Sequence, residues 1–257
     1  MTAHITTEEA KKLSLPGSDS FKYTHLLYHD DVHRNYGSIC LNLEALKAFS
    51  DTITIAKRNK LKEEHATLKN WMAQGGLNTK KNPFKSIVER GIYINYEHLK
   101  IASGFELHLK AKMLARNYIL HEIDSSIHVY KSLASEQRKR PIVKHELFAI
   151  QPYHFDGKQN YLPGLKNSSV KFSLLTDKPA YRAALGLNDQ QAGIIQDYRL
   201  LRNQVHLPGD FLETPNIQAY PQPIIEFLVE FINSEIVIWT NSLMSHSDLK
   251  WKKIIPF

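Results

Sequence analysis

The stretch from Ile87 to about Arg116 most narrows the folds open to this chain. At about 100° per residue, Ile94, Ile101, Phe105 and Leu109 fall on one side of a helix, while Leu99, Leu107 and Leu114 face elsewhere. A helix apolar around much of its circumference has to be covered on several sides, so it belongs at the centre of a helical assembly.

The neighbouring segments agree with that reading. Good helix formers run from Ser38 to Met72, with Gly75–Gly76 as the stop, after a polar, irregular stretch over residues 1–36. Ser125 or Ser126 is placed to cap a helix reaching about Lys139, ended by Pro141. Residues 141–187 carry Pro152, Gly157, Pro163, Gly164 and Pro179 and lack a sustained helical period. They read as an irregular insertion with a short strand near Glu146–Ile150. Asn188 or Asp189 caps a further helix stopped by Pro208–Gly209. In Ile224–Trp239, Glu226, Glu230 and Asn233 form a polar stripe, so this segment is a soluble amphipathic helix rather than a membrane span. The expected fold is all-α: a helical bundle over residues 81–257 with the insertion at 141–187, preceded by a helical extension over 1–80.

Composition bounds the chemistry. The single cysteine, Cys40, rules out an internal disulfide and any multi-cysteine metal site. With 33 Lys and Arg against 26 Asp and Glu, the 257-residue chain carries a net charge of +7, which favours a polyanionic partner. The N-terminus has no basic run followed by an apolar core, so the expected location is the cytoplasm and no membrane partner is expected. No GxGxxG, P-loop or HExxH pattern is present, which removes the commonest dinucleotide, nucleoside-triphosphate and zinc-protease readings.

Chemistry concentrates in the segment NDQQAGIIQDYRLLRNQVHLPGD. Ile194, Tyr198, Leu201 and Val205 form one stripe of its helix, and Arg199, Arg202, Asn203 and His206 cluster on an adjacent face. Guanidinium groups bind phosphate oxygens and stabilise charge developing on phosphorus. An imidazole titrating near neutrality takes or gives a proton. RNA supplies its own nucleophile, the 2′-hydroxyl, so such a set needs neither metal nor cofactor. A solvated helix face closed by a proline is the bland alternative, and the local pattern alone does not decide between them.

A second segment bears on the choice. Residues 104–123, GFELHLKAKMLARNYILHEI, resemble an early core helix of the HEPN superfamily (higher eukaryotes and prokaryotes nucleotide-binding). The matching positions are Glu106, Leu107, Leu109, Lys110, Ala111 and Leu114, followed by the triplet His121, Glu122 and Ile123. RNQVH at 202–206 looks like the HEPN motif of an Arg, usually a polar neighbour, and a His four to six residues on. The resemblance covers roughly residues 87–245. It implies a metal-independent endoribonuclease, cleaving by 2′-hydroxyl attack at an Arg/His site shared across a homodimer. It also implies an effector or toxin role in bacterial defence, with an antitoxin or regulatory protein as a further partner. Other members are inactive modules that bind RNA, a nucleotide or a partner protein, and this is the alternative. The motif here is split: Arg202 has the polar neighbour Asn203 but only three residues before His206, whereas Arg199 has six but is followed by Leu200. Arg199 and Arg202 are therefore both expected to line the site, with Asn203 orienting the phosphate or His206, and His206 as acid or base.

Other groupings weigh less. His25, His29 and His33 have a spacing that suits zinc on a helix, but read better as a polar surface. His121 with Glu122 offers a substrate contact, but His121 reads better as closing the central helix and making a structural hydrogen bond. Arg138-Lys139-Arg140 and Lys250, Lys252 and Lys253 around Trp251 offer a phosphate track, though charge runs are usually solvated faces.

Overall fold

A computed structural model describes residues 27–28, 31–53, 55–74, 84–150 and 164–204. These are mostly helical: α1 (Asp31–Ile53), α2 (Ile55–Ala73), α3 (Phe84–Ala115), α4 (Lys131–Gln137), α5 (Lys144–Ile150), α6 (Phe172–Asp177), α7 (Pro179–Leu185) and α8 (Asp189–Gln204). A two-stranded antiparallel sheet, β1 (His121–Ile123) with β2 (Leu165–Ser169), accompanies them. Among the described residues, one compact unit takes those up to Asn42 together with His108–Ala192. The other takes Leu43–Leu107 together with those from Gly193 on. None of the described helices is long and apolar enough to cross a membrane.

The long helix forms as its pattern requires. Ile94, Ile101, Phe105 and Leu109 are buried, and so is Leu114 on another side, while Leu99 and Leu107 are half-buried. It ends in a Schellman turn: Asn117 takes the left-handed conformation at φ 65°, its N–H donates to the Leu114 carbonyl, and Tyr118 N–H donates to that of Met113. Asparagine tolerates this conformation better than any residue except glycine.

In the first unit, α1 and α3 are joined by polar contacts inside the core. Ser38 Oγ donates to the Ala111 carbonyl at 2.7 Å, and Asn42 Oδ1 lies 2.7 Å from His108 Nδ1. Burial and the neighbouring Lys112 push the His108 pKa well down, so the ring is neutral. Gln137, at the end of α4, clamps β1: its amide donates to the His121 carbonyl and accepts from Ile123 N–H. Its own carbonyl accepts from the Tyr181 hydroxyl of α7 at 2.6 Å. Just before β2, Gly164 has φ 85°, and a Cβ there would lie 2.5 Å from the Tyr130 ring.

Several expectations need correction. Glu146–Ile150 lies in helix α5, not a strand. A short apolar run fits either geometry by periodicity alone; here only Leu147 is deeply buried, and Glu146 in the first turn suits the helix dipole and pairs with Arg140. The described part of 141–187 is ordered into α5, β2, α6 and α7, with Phe172, Leu175, Tyr181 and Leu185 buried. Helix α1 begins at Asp31, inside the stretch expected to be irregular. Neither Ser125 nor Ser126 caps a helix: Ser126 donates through its N–H and hydroxyl to Asp124 Oδ1, and a 3-10 turn over His128–Tyr130 precedes α4. His121 does make a partly buried hydrogen bond, but on β1 rather than at the end of the central helix.

Candidate active site

Helix α8 starts with a reciprocal cap. Asn188 Oδ1 accepts from Gln191 N–H at 2.8 Å, and Gln191 Oε1 accepts from Asn188 N–H at 3.1 Å. Asp189 in the first turn and Arg202 in the last both suit the helix dipole. The inward stripe is Ala192, Ile195, Tyr198 and Leu201, so Ile195 rather than Ile194 takes the deepest position; Ile194 is half-buried.

In the second unit, Tyr198 holds α8 to α3. Its ring centre lies 5.7 Å from that of Phe105 and 5.9 Å from that of His98. Phe105 in turn meets Phe49 of α1 edge-on at 5.3 Å. Gly104 permits this approach, because a Cβ there would lie 2.6 Å from the Phe49 ring. One turn beyond Tyr198, the Arg202 guanidinium forms an ion pair with the carboxylate of Glu106, the residue after Phe105.

The last two turns of α8 thus present the expected side chains together. Arg199 and Arg202 are half-buried, Asn203 is exposed, and Leu200 between the arginines is 46% exposed. Two guanidiniums three residues apart share a side of the helix, and one of them is held by a carboxylate from a second helix. His206 and Val205 lie outside the described residues, so the structure places three of the four expected site residues. Glu106 is the member that reasoning from the sequence missed in this role. In the sequence Glu106 stands only as a matching position of the resemblance, and nothing local marks it as the partner of Arg202.

No family model, curated protein or solved structure matches this chain.

The remaining groupings make contacts of their own. His121 Nδ1 accepts from the Tyr28 hydroxyl at 2.7 Å, while Tyr28 Oη accepts from Leu120 and His121 N–H at 2.8 and 3.2 Å. Burial, with a lesser contribution from Lys110, lowers the His121 pKa to about 4, so the ring is a neutral structural acceptor at pH 7. Lys139 pairs with Glu136, Arg140 with Glu136 and Glu146, and Arg138 is exposed. The Lys250–Lys253 run, the helix expected at Ile224–Trp239, and His25 and His29 lie outside the described residues, as does the side chain of His33. Among the described residues, no group of three or more His, Cys, Asp or Glu side chains could hold a metal ion.

Proposed function

We propose that this chain is a metal-independent endoribonuclease of the HEPN type, acting as a homodimer in the cytoplasm as an effector or toxin of a bacterial defence system. The observation that carries the reading is the Glu106–Arg202 ion pair. It joins the two separate segments on which the resemblance rests, the helix beginning at Gly104 and the RNQVH run. A coincidental pattern in either segment would not require them to meet.

In the proposed reaction the 2′-hydroxyl oxygen of RNA attacks the adjacent phosphorus and the bond to the 5′-oxygen breaks. The products are a 2′,3′-cyclic phosphate and a 5′-hydroxyl, the proton of the attacking hydroxyl being balanced by one delivered to the leaving oxygen. His206 assists that proton transfer. Arg199 and Arg202 stabilise the extra negative charge on the phosphoryl oxygens, and Asn203 orients the phosphate or His206. Glu106 fixes one edge of the Arg202 guanidinium and leaves its other N–H groups for phosphate, since the group has five donors.

The runner-up is an inactive HEPN module that binds RNA, a nucleotide or a partner protein. The same ion pair is what favours it, because Glu106 offsets the positive charge of Arg202. The deciding experiment incubates the pure protein with total RNA and tRNA in EDTA, beside His206→Ala and Arg199→Ala variants. Discrete products with cyclic-phosphate ends, lost in both variants, support the enzyme. Intact RNA with retained, salt-sensitive binding supports the module.

A further inference from the structure

Of the large apolar side chains exposed among the described residues, Leu200 alone lies on α8, and it directly follows Arg199. A single exposed leucine on a surface is ordinary. Its neighbours set this one apart. At about 100° per residue, the side chains around the last turns of α8 run in the order Arg202, Arg199, Asn203, Leu200, in steps of about 60°, 40° and 60°. Gln196, four residues before Leu200, falls between Asn203 and Leu200 in that order, and Asp197 comes about 60° beyond Leu200. Arg199, Arg202 and Gln196 are half-buried, whereas Leu200, Asn203 and Asp197 are exposed.

That order of groups matches the chemistry of one nucleotide. Guanidiniums at one edge take phosphate oxygens. About 100° further round from Arg199, or roughly 8 Å at the radius of the side chains, an aliphatic surface points outward. This separation is comparable to that between a phosphate and the base of the same nucleotide. Aliphatic side chains, leucine among them, pack against base faces. Base edges carry donors and acceptors, which a carboxamide can meet because it has both. Gln196 stands beside Leu200 on the arginine side, one turn before it. Asn203 lies between the leucine and the arginines, where it keeps its orienting role. Asp197 repels phosphate from the far edge, so the phosphate is directed to the arginines and the base to Leu200.

We propose that Leu200, with Gln196 beside it, seats the nucleobase next to the phosphate held by Arg199 and Arg202, and that the RNA bound there is single-stranded. A base inside a duplex has both faces stacked and its pairing edge occupied, so it cannot lie on Leu200. The inference rests on the proposed function for RNA as the ligand. It deepens that reading by naming the strand state and the residue that receives a base, and it does not depend on the strand being cut.

Fluorescence anisotropy of the full chain with a short labelled 2′-O-methyl RNA, single-stranded or as a duplex of the same sequence, tests it. This probe keeps bases and phosphates but has no 2′-hydroxyl to attack. The single strand should bind more tightly than the duplex. Leu200→Ala should weaken single-strand binding roughly threefold to tenfold and leave duplex binding unchanged. Leu200→Phe, which restores a broad apolar surface, should recover the loss, whereas Arg199→Ala should weaken both probes. Unchanged circular dichroism is expected for Leu200→Ala because the side chain is exposed. Equal weakening of both probes, no weakening of either, or no binding by the wild type overturns the proposal. So does a Leu200→Ala variant that sediments at a lower mass than the wild type, which would give Leu200 to a contact between chains. Cleavage of natural RNA that is indifferent to Leu200→Ala removes the base seat and leaves the chemistry of the site standing. Leu200-dependent binding of single strands without any cleavage of natural RNA does the reverse.

Discussion

Arg202 on α8 and Glu106 on α3 are 96 residues apart in the chain and form an ion pair, directly beside the contact between Tyr198 and Phe105. An aromatic anchor and a charge contact four residues apart on one helix thus meet two adjacent residues on the other. That combination determines both where α8 lies on α3 and how its last turn is rotated.

Removing the carboxylate should have both a structural and a chemical effect. Glu106→Gln should cost about 1 kcal/mol, because the pair is only partly buried and Arg202 stays 38% exposed. Thermal unfolding measures that loss. If Arg202 acts on phosphate, the same variant should also lower single-turnover RNA cleavage more than it lowers RNA binding. Equal effects on both would argue against a positioning role for Glu106.

The Gly104 position should not accept a side chain. Gly104→Ala places a Cβ 2.6 Å from a Phe49 ring that is fully buried. The expected loss is about 1–3 kcal/mol despite the better helix propensity of alanine. Urea unfolding of Gly104→Ala, Phe49→Leu and the double variant checks the cause: the double should be more stable than the sum of the singles implies. Strict additivity would place the strain elsewhere.

Tyr28 should be among the most costly hydroxyls to delete. Its oxygen accepts two backbone N–H groups and its proton goes to His121 Nδ1. Tyr28→Phe leaves those groups without that partner, for a loss of about 1–3 kcal/mol. Hydrogen exchange at Leu120 and His121 amides should accelerate in the variant, and unchanged protection would refute this account.

Acid should weaken the fold through its buried histidines. The His121 pKa falls from 6.5 in the unfolded chain to about 4 in the folded one, and that of His108 also falls well below 6.5. Between these values the unfolded chain binds the proton and the folded chain does not. Stability from His121 is therefore complete above about pH 6.5 and is lost as pH drops toward 4, with a slope of about 1.4 kcal/mol per unit. Urea unfolding across that window should show the slope, and His121→Asn, which keeps an acceptor for Tyr28 but does not titrate, should reduce it.

The start of α8 offers a smaller test. Asn188→Ala removes the acceptor for Gln191 N–H and should cost about 1 kcal/mol. Asn188→Ser should recover most of that by the same measurement, because a hydroxyl can take over the bond.

Much of the helical framework was legible because it rests on local periodicity. The apolar positions of α3 occur at spacings only a helix can bring together, and Asn188 had both the right residue type and the right place to cap α8. Short elements were less legible. Residues 146–150 fit a strand as well as a helix until burial of Leu147 and the Arg140 pair decided it. Ser126 was available as a cap, yet Asp124 captured it first. The sheet of His121–Ile123 with Leu165–Ser169 joins segments with no shared local signal.

For the site, the clustering of Arg199, Arg202 and Asn203 on one helix end follows from residue spacing, since covalent geometry repeats every 3.6 residues in a helix. Spacing could not disclose that Glu106 holds Arg202, that Tyr28 locks His121, or that Ile195 outranks Ile194 inside the core. Each of those depends on which surface of one element is pressed against another, and only tertiary packing decides that. The chain's local physics thus determined its helices and its candidate side chains; their partners were chosen by the burial those helices achieve together.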